Sequence, residues 1–208
     1  MTRKNSIFFG LAAVAAGFVT AASSAQIVGS AHDFSSMAWS GGQICLPCHT
    51  PHNAIAGLPR LWNHELTVAT YDMHEGSGTA EDDFDYKSRM CLSCHDGTVA
   101  LDSFGGQTGA NFIPASANLG TDLTNDHPVG ADAKYPPNPQ PSWWAGSFKA
   151  AASLPSALRL YDWTDPATQT AYKVVGCGTC HNPHNKGFPH LQTMSNSASA
   201  LCLGCHIK

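Results

Sequence analysis

Charged side chains are scarce in this sequence. Its 208 residues include only 11 Lys or Arg and 15 Asp or Glu, a charged fraction of 12%, against about 25% in an ordinary soluble domain. The few basic residues form no patch that could neutralise a run of phosphates, as nucleic-acid binding requires. The composition therefore argues against nucleic acid as a partner.

Long apolar runs are also missing. The run at residues 7–20 is shorter than the roughly 18 to 20 residues that span a bilayer, and no later stretch reaches that length, so we expect no transmembrane span. Arg3 and Lys4 precede this run and small residues follow it at 21–25, which is typical of a secretory signal. We expect residues 1–25 to be a signal peptide. The mature protein, residues 26–208, is then exported to the periplasm, the cell surface or the extracellular space.

No cysteine stands alone. All eight form pairs with two residues between the members, and a histidine follows each pair at once. We number these motifs along the chain: motif 1 is Cys45, Cys48 and His49; motif 2 is Cys91, Cys94 and His95; motif 3 is Cys177, Cys180 and His181; motif 4 is Cys202, Cys205 and His206. Disulfides, zinc sites of paired cysteines or redox dithiols would not require the four histidines. C-x-x-C-H is the attachment sequence of c-type haem, so the pattern predicts four covalently attached haems c.

The chemistry of haem attachment explains the spacing. The two thiols of each motif add to the two vinyl groups of one porphyrin, and the adjacent histidine binds the iron from one side. Seven histidines outside the motifs are available for the opposite side: His32, His52, His64, His74, His127, His184 and His190. Methionines could also bind there, but the surplus of histidines favours two histidines at every iron, which are then expected to be low-potential haems.

His52 and His184 occupy matching positions in the sequences CHTPHN and CHNPHN. Each lies too close to its own motif histidine to reach the opposite face of the same porphyrin, so each is expected to bind the iron of a neighbouring haem. His127, which precedes a proline, and the isolated His32 and His64 compete for the other two places. The sequence leaves this surplus unresolved, and His74 and His190 have no comparable setting.

The motifs form two similar units, residues 45–95 and 177–206, which suggests a duplicated two-haem module within a single domain. The stretch between them, residues 96–176, is expected to be an irregular connector, because residues 135–141 are rich in proline. Trp143 and Trp144 could pack on a haem or a partner. We expect little regular structure, with short helical turns near the motifs and within 147–161, and a solvated loop at the acidic residues 81–85.

The sequence resembles the multihaem cytochromes with doubled CxxCH motifs. The resemblance rests on the four motifs together with CHTPHN, CHNPHN, Leu61-Trp62-Asn63-His64 and Asp126-His127-Pro128-Val129. The order of these segments is similar to that of exported tetrahaem cytochromes, which include subunits of extracellular cytochrome filaments. That resemblance implies a mostly irregular chain with a few short helices wrapped around a column of four haems. It also implies His49, His95, His181 and His206 as first iron ligands and His32, His52, His127 and His184 among the second ones. His64 matches a family position as well.

These features predict an electron-transfer protein and not an enzyme, because no motif indicates an open iron site. Its expected partners are other redox proteins or an extracellular electron acceptor. The alternative is a multihaem oxidoreductase with one open haem that reduces a small substrate. A further hypothesis is a homopolymer in which His32 of one subunit binds a haem iron of the next, since head-to-tail contacts that do not close produce filaments.

Overall fold

The computed structural model describes residues 27–137 and 147–207. The signal peptide expected at residues 1–25 lies outside the described residues, as do Trp143 and Trp144. Within the described part of the chain, no helix has both the length and the apolar character needed to cross a membrane.

Regular structure is sparse. Helix α1 spans Tyr86–His95 and the single turn α2 spans Cys177–Cys180. Short 3-10 turns occur at Phe34–Ser36, Ala38–Ser40, Pro59–Leu61, Gly130–Ala133, Ala151–Ser153, Pro189–Leu191, Ser197–Ser199 and Cys202–Gly204. Most of the remaining described chain is coil and turn. This confirms the prediction of a mostly irregular chain with a few short helices.

The strands pair in three antiparallel two-stranded sheets. They are β1 (Thr70–Met73) with β2 (Gly76–Thr79), β3 (Ser147–Phe148) with β6 (His206–Ile207), and β4 (Tyr161–Thr164) with β5 (Ala171–Val174). In β1, buried Tyr71 and Met73 alternate with exposed Thr70 and Asp72. Four residues are too few for such alternation to stand out in a sequence, so these hairpins were not predicted.

The main apolar core joins the first hairpin to helix α1. Its buried members are Tyr71, Met73, Ala80, Phe84, Leu92 and Leu123. Leu92 lies between the two cysteines of motif 2, so the same helix turn that presents the thiols also anchors in the core. Packing of this core therefore fixes the position of motif 2.

The acidic run at residues 81–85 is only partly the solvated loop that the sequence indicates. Glu81 and Asp82 are exposed, but Phe84 is 3% exposed and Asp85 is 1% exposed. The Asp85 carboxylate accepts hydrogen bonds from the backbone N–H groups of Lys87 and Ser88 and so caps helix α1. The prediction was wrong for the second half of the run because a buried cap and a solvated acid look alike in sequence.

The described parts of the expected connector, residues 96–137 and 147–176, contain more regular structure than its prolines indicate. They contain β3, β4 and β5, and the indole N–H of buried Trp163 in β4 donates to the Asp82 carbonyl at 2.7 Å. The helical turns expected within 147–161 reduce to the one 3-10 turn at Ala151–Ser153. This part of the chain therefore packs against the first unit.

Candidate metal centre

The attachment motifs adopt the same local turn. The backbone N–H of His49 donates to Cys45 O at 2.8 Å, and that of His181 donates to Cys177 O at 3.0 Å. Motif 2 forms the last turn of helix α1, and motif 4 begins with the 3-10 turn Cys202–Gly204. Since residues three apart lie on one face of a helical turn, each pair of thiols faces one side, as attachment to a single porphyrin requires.

Backbone carbonyls orient the imidazoles of three motifs. The Nδ1–H of His49 donates to Arg60 O at 2.7 Å, that of His95 to Ala117 O at 2.9 Å, and that of His181 to His190 O at 2.8 Å. Metal-binding histidines characteristically hold their second ring nitrogen in this way, which fixes the tautomer and the ring orientation. The arrangement leaves Nε2 of each ring as the nitrogen able to bind a metal.

Motifs 1 and 3 share one further structural device. The turns Pro59–Leu61 and Pro189–Leu191 fold back on the motifs, and their middle residues Arg60 and His190 have positive φ angles of 64° and 53°. Leu61 O accepts from Thr50 N at 3.0 Å, and Leu191 O accepts from Asn182 N at 2.7 Å. The two turns have similar sequences, GLPRL at residues 57–61 and GFPHL at residues 187–191, but this similarity was not recognised in the sequence. It places His190 where its carbonyl, not its ring, serves the site.

Motif 2 is held by a different segment. Leu119 N donates to His95 O at 2.7 Å, while Ala117 O receives the His95 ring N–H. Asn118 lies so close to Gly97, whose φ is +74°, that a Cβ atom there would clash with the Asn118 side chain. Residues 117–119 therefore form a clip over His95 that depends on a glycine two positions after it.

The structure places a second histidine opposite three of the four motif histidines. The ring centroids are 6.0 Å apart for His32 and His95, 6.1 Å for His49 and His184, and 6.2 Å for His127 and His206. The corresponding angles between ring planes are 87°, 29° and 65°. Each pair joins a motif histidine to one of the candidate second ligands from the sequence.

These separations match the spacing of two imidazoles across one metal ion. With metal–nitrogen bonds of about 2 Å, the two bound nitrogens are about 4 Å apart and the ring centroids about 6 Å apart. The separations within the three pairs are therefore those that a metal between the rings would require. In the described part of the chain, His52 and His181 are not brought together in this way.

His64 and His74 have other partners. His64 is 1% exposed, and its two ring nitrogens lie 2.8 Å from Glu65 O and 2.9 Å from Ala100 O. The His74 Nε2 lies 3.0 Å from Asp126 O. The structure thus gives both rings hydrogen-bonding roles within the protein, whereas the sequence treated His64 as a possible iron ligand.

Burial favours the neutral form of His32 and His184. It lowers the pKa of His32 to about 4, with smaller contributions from His95 and His184. Burial, followed by the charge of His49, also lowers the pKa of His184. Neutral imidazole is the form that binds a metal ion, so the environment of these rings suits ligation.

The thiols of successive motifs lie near one another. The hydrogen bond to Cys177, together with burial, raises the pKa of Cys91, and Cys177 N donates to the Ser88 hydroxyl of helix α1 at 3.0 Å. Burial raises the pKa of Cys94 to about 12, with a further contribution from Cys48, and raises that of Cys180 to about 11, with a further contribution from Cys205. The attachment points of motifs 1 to 4 therefore follow one another in space.

Two buried polar atoms without a protein partner fit the presence of a bound group of haem type. Among the described residues, buried His32 Nδ1 and Trp62 Nε1 have no hydrogen-bond partner in the protein, although buried N–H groups are nearly always paired. The rings of His49 and Trp62 lie 5.7 Å apart. No group of three or more His, Cys, Asp or Glu side chains within residues 27–137 and 147–207 is arranged to hold a metal ion alone. The cysteine pairs and their histidines are the residues that would hold haem c.

Comparison with known protein families agrees with this chemistry. Residues 170–208 match the family model described as the doubled CXXCH motif, which covers motifs 3 and 4. A comparison with curated proteins found no match. The CxxCH motifs indicate covalently attached haem c, and the family match supports a doubled CxxCH segment of the c-type cytochrome kind at residues 170–208.

Proposed function

We propose that this protein is a tetrahaem electron carrier whose irons are each bound by two histidines. One observation carries the proposal: three motif histidines each face a second histidine at 6.0 to 6.2 Å. The ligand pairs are then His95 with His32, His49 with His184, and His206 with His127. His52 is assigned to His181 because it occupies the position in motif 1 that His184 occupies in motif 3.

The residues of this chain hold the cofactors and tune them, without binding a substrate. Bound haem supplies a reversible one-electron couple between ferric and ferrous iron. The Nδ1 hydrogen bonds to backbone carbonyls keep the imidazoles in place in both oxidation states. Contact between helix α1 and α2 brings the attachment sites of motifs 2 and 3 together. These features support electron transfer between neighbouring haems at low potential.

The test is to produce the protein in a host that attaches haem c and to measure haem content and spin state. Four haems per chain and entirely low-spin ferric EPR spectra that do not change with cyanide are the expected results. Fewer than four haems per chain, or irons whose spectra do not change when the proposed histidine ligands are replaced, would contradict the proposed arrangement. A redox titration should then show reversible one-electron steps at low potential.

The second candidate function is an oxidoreductase with an open iron at motif 3. The observation that favours it is that His52 does not face His181 in the described structure. A high-spin signal that shifts on addition of cyanide or nitrite, and that disappears in a His181 variant, would support this alternative. Full low-spin character in the protein as purified would reject it.

We further propose that the protein is exported and exchanges electrons with redox proteins or an extracellular acceptor. The approach of His32 to His95 within one chain favours a self-contained molecule over a homopolymer linked through His32. The haem-loaded protein is then expected to be monomeric by light scattering. Filaments that disappear in His32→Ala would instead support ligation between subunits.

A further inference from the structure

Helix α1 ends beside a buried carboxylate. Asp96 follows His95 directly, is 4% exposed, and its backbone N–H donates to Leu92 O at 2.9 Å. Aspartate at a buried position requires compensation, because moving a charge out of water costs free energy. The compensation comes from hydrogen bonds and not from a cation.

Four hydrogen bonds are donated to the two oxygens of Asp96. Oδ2 accepts from the Thr67 hydroxyl at 2.6 Å and from the Tyr71 hydroxyl at 2.7 Å. Oδ1 accepts from the backbone N–H and the hydroxyl of Thr98, both at 2.8 Å. Groups that donate at every position stabilise the carboxylate as an anion.

No cation neutralises this anion within the described residues. The ion pairs there join Arg89 to Glu81 and Lys173 to Asp162, and neither includes Asp96. A negative charge in a buried environment acts on its neighbours with little screening. The nearest redox group in the proposed arrangement is the iron bound by His95.

Motif 2 is the only motif with an acid at this position. Thr50, Asn182 and Ile207 follow the histidines of motifs 1, 3 and 4. Reduction adds one electron and removes one positive charge at the iron, so a fixed negative charge beside His95 opposes it. Net charge near an iron centre is among the factors that set its potential.

We propose that the negative charge of Asp96 lowers the reduction potential of the haem at motif 2. Thr67, Tyr71 and Thr98 hold the Asp96 carboxylate in place by their hydrogen bonds. This inference rests on the proposed function. The charge of Asp96 would give the haem at motif 2 a lower reduction potential than the other three haems, although the iron ligands of all four are similar. An electron would then occupy motif 2 least readily, and electrons held on the chain would reside on the other motifs.

The ligand geometry separates the motif 2 signal most clearly from that of motif 1. The planes of His32 and His95 are 87° apart, those of His127 and His206 are 65° apart, and those of His49 and His184 are 29° apart. Perpendicular imidazoles leave two iron d orbitals almost equal in energy, which produces a strongly anisotropic low-spin ferric EPR signal. Nearly parallel imidazoles separate those orbitals and give a rhombic signal.

The experiment is an EPR-monitored redox titration of the haem-loaded full chain. Asp96→Asn keeps the shape and removes the charge, so it should shift the midpoint of the strongly anisotropic signal upward. Glu65→Gln is the matched control, because it removes an exposed negative charge next to His64, whose Nε2 lies 3.5 Å from Cys94 Sγ of the same motif, and should shift that midpoint much less. Tyr71→Phe removes a hydrogen bond but keeps the charge and should not produce the upward shift.

Equal midpoints in the wild type and Asp96→Asn overturn the proposal, as does an equal upward shift in Tyr71→Phe or Glu65→Gln. Should Asp96→Asn fail to fold, Asn182→Asp tests the same effect by addition of an acid after His181. It should move one of the other midpoints downward, and four unchanged midpoints overturn the proposal. Absence of low-spin haem in the wild type would instead reject the proposed function itself.

Discussion

His32 and His64 show how the surroundings of a side chain determine its role. Both are isolated histidines in the sequence, so spacing cannot distinguish them. In the structure, His32 faces His95 at 6.0 Å with its Nδ1 unpartnered, whereas both ring nitrogens of His64 lie beside carbonyl oxygens. A neutral ring donates to only one of these two carbonyls, but both nitrogens are directed at backbone oxygens and so neither is directed at an iron.

Substitution of these two histidines should have opposite effects. His32→Ala should convert one low-spin haem to a high-spin form that returns to low spin when imidazole is added. His64→Leu should keep every haem low-spin but lower the free energy of unfolding by about 2 kcal/mol, because the buried Ala100 carbonyl loses its donor. Visible and EPR spectra with chemical denaturation measure both effects. Loss of a low-spin haem in His64→Leu would contradict this assignment.

The CxxCH residues are the part of the candidate site that the sequence predicts most directly. Cysteine pairs followed by histidine have a covalent reason for their spacing, and that reason does not depend on the remainder of the fold. The supporting residues were not predictable in the same way. Ala117, Arg60 and His190 act through backbone carbonyls, which every residue possesses, so their side chains give no signal.

At the scale of elements, short clips hold the motifs in place of long helices. Residues 117–119 hold His95 by contacts that require the left-handed conformation of Gly97. Gly106 provides a matched comparison, because its φ of +77° is similar but nothing lies within 4 Å of the Cβ position. Alanine at Gly106 would therefore show the free-energy cost of the left-handed backbone alone. Alanine at Gly97 would show that cost together with the cost of the clash with Asn118.

Gly97→Ala should destabilise the protein by about 1 kcal/mol more than Gly106→Ala. Both variants strain the backbone, but only Gly97→Ala forces Asn118 away from the turn. Thermal unfolding of the haem-loaded variants measures the difference, and the spectrum of the motif 2 haem should change only in Gly97→Ala. Equal stabilities would show that the clip tolerates displacement.

The contact between helix α1 and α2 gives a second element-scale prediction. Ser88 is fully buried, and its hydroxyl accepts from Cys177 N and donates to Asp85. Ser88→Ala should lower the free energy of unfolding by about 2 kcal/mol, because the buried Cys177 N–H loses its partner. The exposed Ser77→Ala serves as the control and should change stability by less than about 0.5 kcal/mol.

At the scale of the whole molecule, hydrogen-bonded secondary structure contributes little to cohesion. Within residues 27–137 and 147–207, the sheets have two strands each. The main cluster of buried apolar residues there has six members, so the apolar core is also small. Bonds from ligand pairs to iron would join distant parts of the chain in the proposed arrangement, and metal binding of that kind contributes directly to folding free energy.

The chain produced without haem attachment should therefore lack a cooperative unfolding transition. Circular dichroism and calorimetry of a variant with all eight cysteines replaced by serine would measure this. The haem-loaded wild type, examined in the same buffer, should show a sharp transition. A cooperative transition of similar enthalpy in the haem-free variant would mean that the polypeptide core is sufficient for folding.

The pairing of His49 with His184 also has a consequence for the order of assembly in time. His49 is synthesised early, whereas His184 follows much later in the chain. In the proposed arrangement, the iron at motif 1 would therefore have one side open, or a temporary ligand, until residue 184 has been made. In the proposed arrangement, the segment after motif 3 thus completes the site begun by motif 1, so a truncated N-terminal product would carry an incompletely ligated haem at motif 1.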